Sequence, residues 1–139
     1  MSLRSISAAM RLTVIVLVLA GCGGDDASNG MTWPTITATV NGNAVVMSDD
    51  TSGTERVRAF TVNDGDVVRL EATETGLSWS TSYGGASVSD VIQTDTSWQA
   101  TLHYSVSTPG DVGGLSESIC RPPCAVGSPS VRVDIAVRD

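Results

Sequence analysis

Residues 98–106 read Trp-Gln-Ala-Thr-Leu-His-Tyr-Ser-Val, and this stretch decides the fold class. Trp98, Ala100, Leu102, Tyr104 and Val106 share one parity, and Gln99, Thr101, His103 and Ser105 share the other. Successive side chains of a strand point to opposite faces, so the run has one dry and one wet face. A helix would place Trp98 and Ala100 on different sides and would need apolar residues three and four apart. The C-terminus repeats the pattern: Val131, Val133, Ile135 and Val137 alternate with Arg132, Asp134, Ala136 and Arg138.

The same alternation extends towards the N-terminus. Ile36, Ala38 and Val40 alternate with threonines, and Asn41-Gly42-Asn43 follows as a hairpin turn from which Ala44–Met47 returns. Phe60 and Val62 face one way, and Asn63-Asp64-Gly65-Asp66 is a second turn cluster. Val68, Leu70 and Ala72 alternate with Arg69 and Glu71, and Leu77, Trp79 and Thr81 with serines, until Tyr83-Gly84-Gly85 ends the run. Short alternating runs separated by turn residues predict a sandwich or barrel, and nothing after residue 22 has a helical face. The segments that break the pattern are Asp49–Glu55, Tyr83–Ser87 and Pro109–Pro129. They read as loops, the last long enough to be the expected contact surface.

The stretch from Phe60 to Gly85, FTVNDGDVVRLEATETGLSWSTSYGG, resembles bacterial immunoglobulin-like modules: a strand, an Asn/Gly/Asp turn, a strand, then Leu-Ser-Trp. The resemblance implies an all-β, immunoglobulin-like antiparallel β-sandwich of about seven strands, with an adhesive, spacer or substrate-presenting role. It departs from the antibody pattern, because no cysteine lies beside Trp79 to join the sheets. It also lacks the Trp-Asp-Phe-Gly-Asp-Gly run of polycystic-kidney-disease-type modules.

The N-terminus does not belong to this pattern. Arg4 and Arg11 precede or flank an apolar run, Leu12–Ala20, that ends in Leu19-Ala20-Gly21-Cys22. A basic start, a short apolar run and small residues before a cut are the features of a secretory signal. The run is well below the roughly 20 residues that span a bilayer. Leu-Ala-Gly-Cys resembles the lipobox of bacterial lipoproteins. The resemblance implies cleavage before Cys22, a diacylglyceryl group on its thiol and acylation of its new amine. Gly23, where Asp would favour inner-membrane retention, points to the outer membrane in a Gram-negative cell. The expected organisation is a signal peptide at 1–21, a lipidated cysteine and flexible tether at 22–32, and a sandwich domain at 33–139.

Without residues 1–21 the chain has six arginines against fifteen acidic residues, a formal charge of −9, and there is no lysine anywhere. An acidic surface repels phosphate backbones, which excludes nucleic acid as a partner. The absence of lysine excludes serine–lysine hydrolysis, Schiff-base chemistry and P-loop phosphate binding. Membrane attachment then falls to the acyl chains on Cys22, since two or more chains anchor stably. An envelope protein or a glycan is the expected partner.

Few residues are left for chemistry. Cys120-Arg121-Pro122-Pro123-Cys124 can be a disulfide closing a tight loop, or a redox or copper-binding pair. The second reading needs a lowered thiol pKa, usually from a helix N-terminus, and Ala125–Ser130 starts no helix. We take the disulfide reading, which suits an exported protein with one even pair of cysteines beyond Cys22. His103, the sole histidine, falls on the wet face of its strand and reads as solvated rather than as a base or ligand. No G-x-S-x-G elbow is present to use it. Asp49-Asp50, Asp64, Asp66 and Asp111 lack EF-hand spacing and read as turn residues. Trp79, Trp98 and Tyr104 lie on dry faces and read as core. Trp33 and Tyr83 are the better candidates for surface contacts. No catalytic residue, metal or cofactor is expected. The sequence reads as a lipid-anchored, non-enzymatic binding or adhesion module; a metal-handling or thiol-redox lipoprotein using Cys120 and Cys124 is the alternative.

Overall fold

A computed structural model describes residues 32–108 and 111–139. The readings placed on residues 1–31, Cys22 among them, lie outside the described residues. Ten strands follow in order: β1 Ile36–Val40, β2 Asn43–Val45, β3 Ser48–Ser52, β4 Glu55–Asn63, β5 Val67–Ala72, β6 Ser78–Gly84, β7 Ala86–Gln93, β8 Ser97–Tyr104, β9 Gly113–Cys120 and β10 Ser130–Arg138. There is no helix among the described residues. The strands form two five-stranded sheets, β2-β1-β5-β8-β7 and β3-β4-β10-β9-β6, packed as a β-sandwich.

The expectation of about seven strands is corrected to ten, and the second sheet is mixed, because β4 and β10 run parallel. With β2, β3 and β4 set aside, the other seven are ordered β1-β5-β8-β7 and β6-β9-β10. Lettered A to G along the chain, that is A-B-E-D against C-F-G, the strand order of an immunoglobulin constant-type sandwich. The three extra strands all lie between A and B.

The core follows the alternation. Ile36, Ala38, Val68, Leu70, Trp98, Ala100 and Leu102 from the first sheet meet Val62, Leu115, Ile119, Val131, Val133, Ile135 and Val137 from the second, all buried. Fully burying one such aliphatic side chain contributes about 1.5–3 kcal/mol, so this set drives the packing. Asn41 and Gly42 turn β1 into β2 with φ of 51° and 84°, the backbone of a two-residue type I′ hairpin. The second turn cluster ties both sheets together at one end. Asp66 accepts the Asn63 N–H at 2.8 Å and the Asn41 side-chain N–H at 2.8 Å. Asp64 accepts the Tyr104 N–H at 2.7 Å.

Two of the three segments read as loops are largely strand, and the third contains one. Asp49–Ser52 belongs to β3, whose five residues are all exposed; it is held by pairing with β4 alone, so it has no apolar signature. β7 begins at Ala86, and its alternation is broken by an irregularity between Ser89 and Ile92. The stretch 109–129 contains β9, a central strand of the second sheet. Its inward residues are Gly113, Leu115, Glu117 and Ile119; a glycine and a glutamate on the dry parity hide the pattern.

Candidate functional site

The outer face of the second sheet carries small side chains in register. Ser82, Ser116 and Asp134 form one cross-strand row, and Gly84, Gly114 and Ala136 form the next. A row with almost no side chains leaves a hollow, here a shallow depression of about 380 Å³. Tyr83 and Val112 line it as well, and they are 57 % and 75 % exposed. The floor is kept bare by the backbone. A Cβ at Gly114 would meet the Ile135 carbonyl oxygen at 2.8 Å, closer than real Cβ contacts come.

The charge in the depression is held in a network. Ser116 Oγ donates to Asp134 Oδ1 at 2.7 Å, and Arg132 Nε donates to the same oxygen at 3.0 Å. Arg132 also donates to Glu55 at 2.9 Å. Beside these two carboxylates the Arg132 guanidinium is held above its ordinary pKa. The site therefore offers hydroxyls and a carboxylate already paired with a cation, while the Tyr83 side chain, opposite Leu115 in register, lies on the other face of β6. That set suits shallow contact with a polar surface.

The other predicted residues are dispersed. Cys120 and Cys124 form a disulfide with a Cα–Cα distance of 5.6 Å, around a cis Pro122-Pro123 bond. Between them Arg121 donates to both Glu74 oxygens, at 2.8 and 2.7 Å, and to the Thr32 carbonyl at 2.8 Å. The Arg121 hydrogen bonds hold the Glu74 carboxyl below its ordinary pKa. Asp49 is similarly lowered by its hydrogen bonds from Arg56. Among the described residues no group of three or more His, Cys, Asp or Glu side chains could hold a metal ion.

His103 lies on the wet face as read, and it has partners. Its Nε2 is 2.8 Å from Ser89 Oγ, and its Nδ1 is 3.8 Å from Asp64 Oδ1. The order Ser-His-Asp resembles a relay, but the Asp64 oxygen nearest the ring accepts the Tyr104 N–H. The His103 and Asp64 side chains are 40 % and 51 % exposed. Water reaches both, where an acyl-transfer site needs excluded water and fixed oxyanion donors.

The aromatics divide differently from expectation. Trp98 is fully buried, but Trp79 is only partly buried, and its indole N–H donates to the Asp95 carbonyl at 3.1 Å. Trp33 is not a surface contact. It packs on the core and donates to the Thr54 carbonyl at 2.9 Å. Tyr83 alone of the two candidates is exposed.

Glu117 was not singled out by sequence. Its side chain is 0 % exposed, Oε2 accepts from Thr81 Oγ1 at 2.5 Å, and Oε1 has no partner. Desolvation pushes its pKa up to about 7 against the Thr81 hydrogen bond, which lowers it. The only signal was its place between Leu115 and Ile119 in a two-residue period. Comparison of this chain with protein-family models, with curated proteins and with solved structures finds no match.

Proposed function

We propose that this chain is a lipid-anchored protein of the bacterial envelope whose immunoglobulin-like sandwich works by binding rather than catalysis. The Leu19-Ala20-Gly21-Cys22 lipobox supports the anchor. The observation that carries binding is the depression on the outer face of the second sheet, with its bare floor of serine, glycine and alanine. Such a surface accepts a polar partner of the same envelope, a protein segment or a glycan, through its hydroxyls and its bare backbone floor. The long-loop contact surface is withdrawn, because the segment assigned to it is not one loop: Gly113–Cys120 form β9, an interior strand of the second sheet.

The test has two arms. Acyl mass on the wild type and its loss in Cys22→Ser, with the protein leaving the membrane fraction, is the result expected for the anchor. For the site, Ser116→Arg and Ala136→Arg, on the interior strands β9 and β10, are compared with wild type in cross-linked pull-downs from the native envelope, after circular dichroism shows all three folded. A partner retained by wild type and lost in both variants is expected. An identical partner set in all three removes the depression as the contact surface.

A further inference from the structure

The sandwich has four edge strands, and three are blunted. β2 has three residues. β3 carries Asp49 and Asp50, with Asp49 paired to Arg56. β7 is broken by the irregularity between Ser89 and Ile92, where Asp90 has φ of 54°. Short length, charge and bulges are the means by which proteins stop edges from adding a further strand. β6 has none of them. It runs seven residues, Ser78–Gly84, in unbroken register with β9 on one side. It holds no charge and no proline, and among the described residues no backbone group outside β9 bonds to it.

The order of residues on this edge says what would pair with it. Ser78-Trp79-Ser80-Thr81-Ser82-Tyr83-Gly84 is nearly palindromic about Thr81. We propose that β6 is a self-association edge, pairing antiparallel with β6 of a second copy about a two-fold axis through Thr81. That register places Trp79 opposite the partner's Tyr83, Ser80 opposite the partner's Ser82, and Thr81 opposite its own equivalent. Aromatic and threonine pairs directly opposite are among the favourable cross-strand pairs of antiparallel sheets. An isologous contact of this kind closes after two copies. Tyr83 is more than half exposed in the single chain, and the pairing would cover it.

The neighbouring edge supports the same occupant. β7 follows β6 through Gly85 alone and is the terminal strand of the other sheet. Its Val91 and Ile92 are 50 % and 56 % exposed, so the strand that continues from the open edge also leaves apolar side chains uncovered. The net negative charge of each copy opposes approach, yet no charged residue lies in β6 itself. Screening beyond about 8–10 Å at physiological salt weakens the more distant repulsion.

Disulfide trapping in the full-length, membrane-localised chain tests this. Ser80→Cys and Ser82→Cys variants carrying different tags are co-expressed, and membranes are oxidised mildly. Residues directly opposite in an antiparallel pair bring Cβ atoms within about 4.5–5.5 Å, near disulfide reach. The mixed Ser80→Cys/Ser82→Cys dimer is expected to exceed either homodimer several-fold, with no product from wild type. Sedimentation of the detergent-solubilised wild type is expected to give a dimer that Ser80→Lys/Ser82→Lys reduces to monomer. Monomeric wild type at every concentration, equal trapping in all combinations, or trapping of a different protein overturns the proposal.

Discussion

Replacing Glu117 with glutamine should remove a pH dependence of folding stability that the wild type carries. The carboxyl is buried between the sheets with one oxygen unpartnered, and burial raises its pKa from the ordinary 4.5 to about 7. A raised acid pKa means that the folded state binds the proton more tightly than the unfolded chain. Stability changes with pH in proportion to the protons bound by the unfolded state minus those bound by the folded state. Below pH 4.5 both states hold the proton, and the contribution is fully present. Between about 4.5 and 7 only the folded state holds it, so stability falls by about 1.4 kcal/mol per pH unit. Above about 7 both are ionised and the curve is flat. The window amounts to about 3 kcal/mol, a large part of the roughly 5–15 kcal/mol that a domain has. Glu117→Gln keeps the shape and the Thr81 partner and cannot ionise. Urea unfolding of both proteins across pH 4.5–8 checks this. The two should agree near pH 4.5, and the glutamine variant should be the more stable by about 3 kcal/mol at pH 8, on the order of 10 °C in Tm. Taking the difference between the proteins cancels every other titrating group. Parallel curves over the whole range would refute the reasoning.

Three further outcomes follow from packing. Trp98→Ala should lose about 3–5 kcal/mol, whereas Trp79→Ala, partly exposed already, should lose about half as much; calorimetric unfolding of both variants separates them. Gly113→Ala should fail to fold or lose more than the roughly 1–3 kcal/mol typical of overpacking, because its Cβ would collide with the Gly85 carbonyl oxygen and press on Val106; circular dichroism melts decide it. Reducing or replacing Cys120 and Cys124 should lower stability by only about 2 kcal/mol, since the closed loop is short, and the intact mass of native protein should sit two hydrogens below that of the reduced form.

Strands that bury one full face were legible, and strands held mainly by their neighbours were not. β8 and β10 announce themselves because every inward position is apolar; so do β1 and β5. β3 has no inward set at all, and its identity comes from pairing with β4. β9 was hidden by two residues that tertiary context permits. Gly113 is needed where the chain passes close to Gly85, and Glu117 is accepted in the core with Thr81 as its donor. β7 was hidden by its own irregularity, which shifts the alternation halfway along. The site was less legible than the fold. Tyr83 could be named as a free aromatic, but the hollow beside it depends on Gly84, Gly114 and Ala136 coming into one row. These residues lie up to fifty-two positions apart, and only register brings them together.

The same reasoning bears on where a protein of this kind can make contact. Four of the six arginines among the described residues are occupied with carboxylates: Arg56 with Asp49, Arg121 with Glu74, Arg132 with Glu55 and Asp134, Arg69 with Glu71. Exposed pairs of this sort contribute little to stability, about 0–1 kcal/mol each, but they leave few free cations to recruit an anionic partner. At the β6 edge and the neighbouring depression no unpaired charge is offered: β6 holds no charged residue, and Asp134 in the depression is paired with Arg132. Recognition there relies on backbone pairing and shape. Both are short-ranged, so they act only on a partner already held near. An acyl chain on Cys22 would supply that nearness by confining the domain to a membrane surface, where weak edge or face contacts gain effective concentration without added contact area.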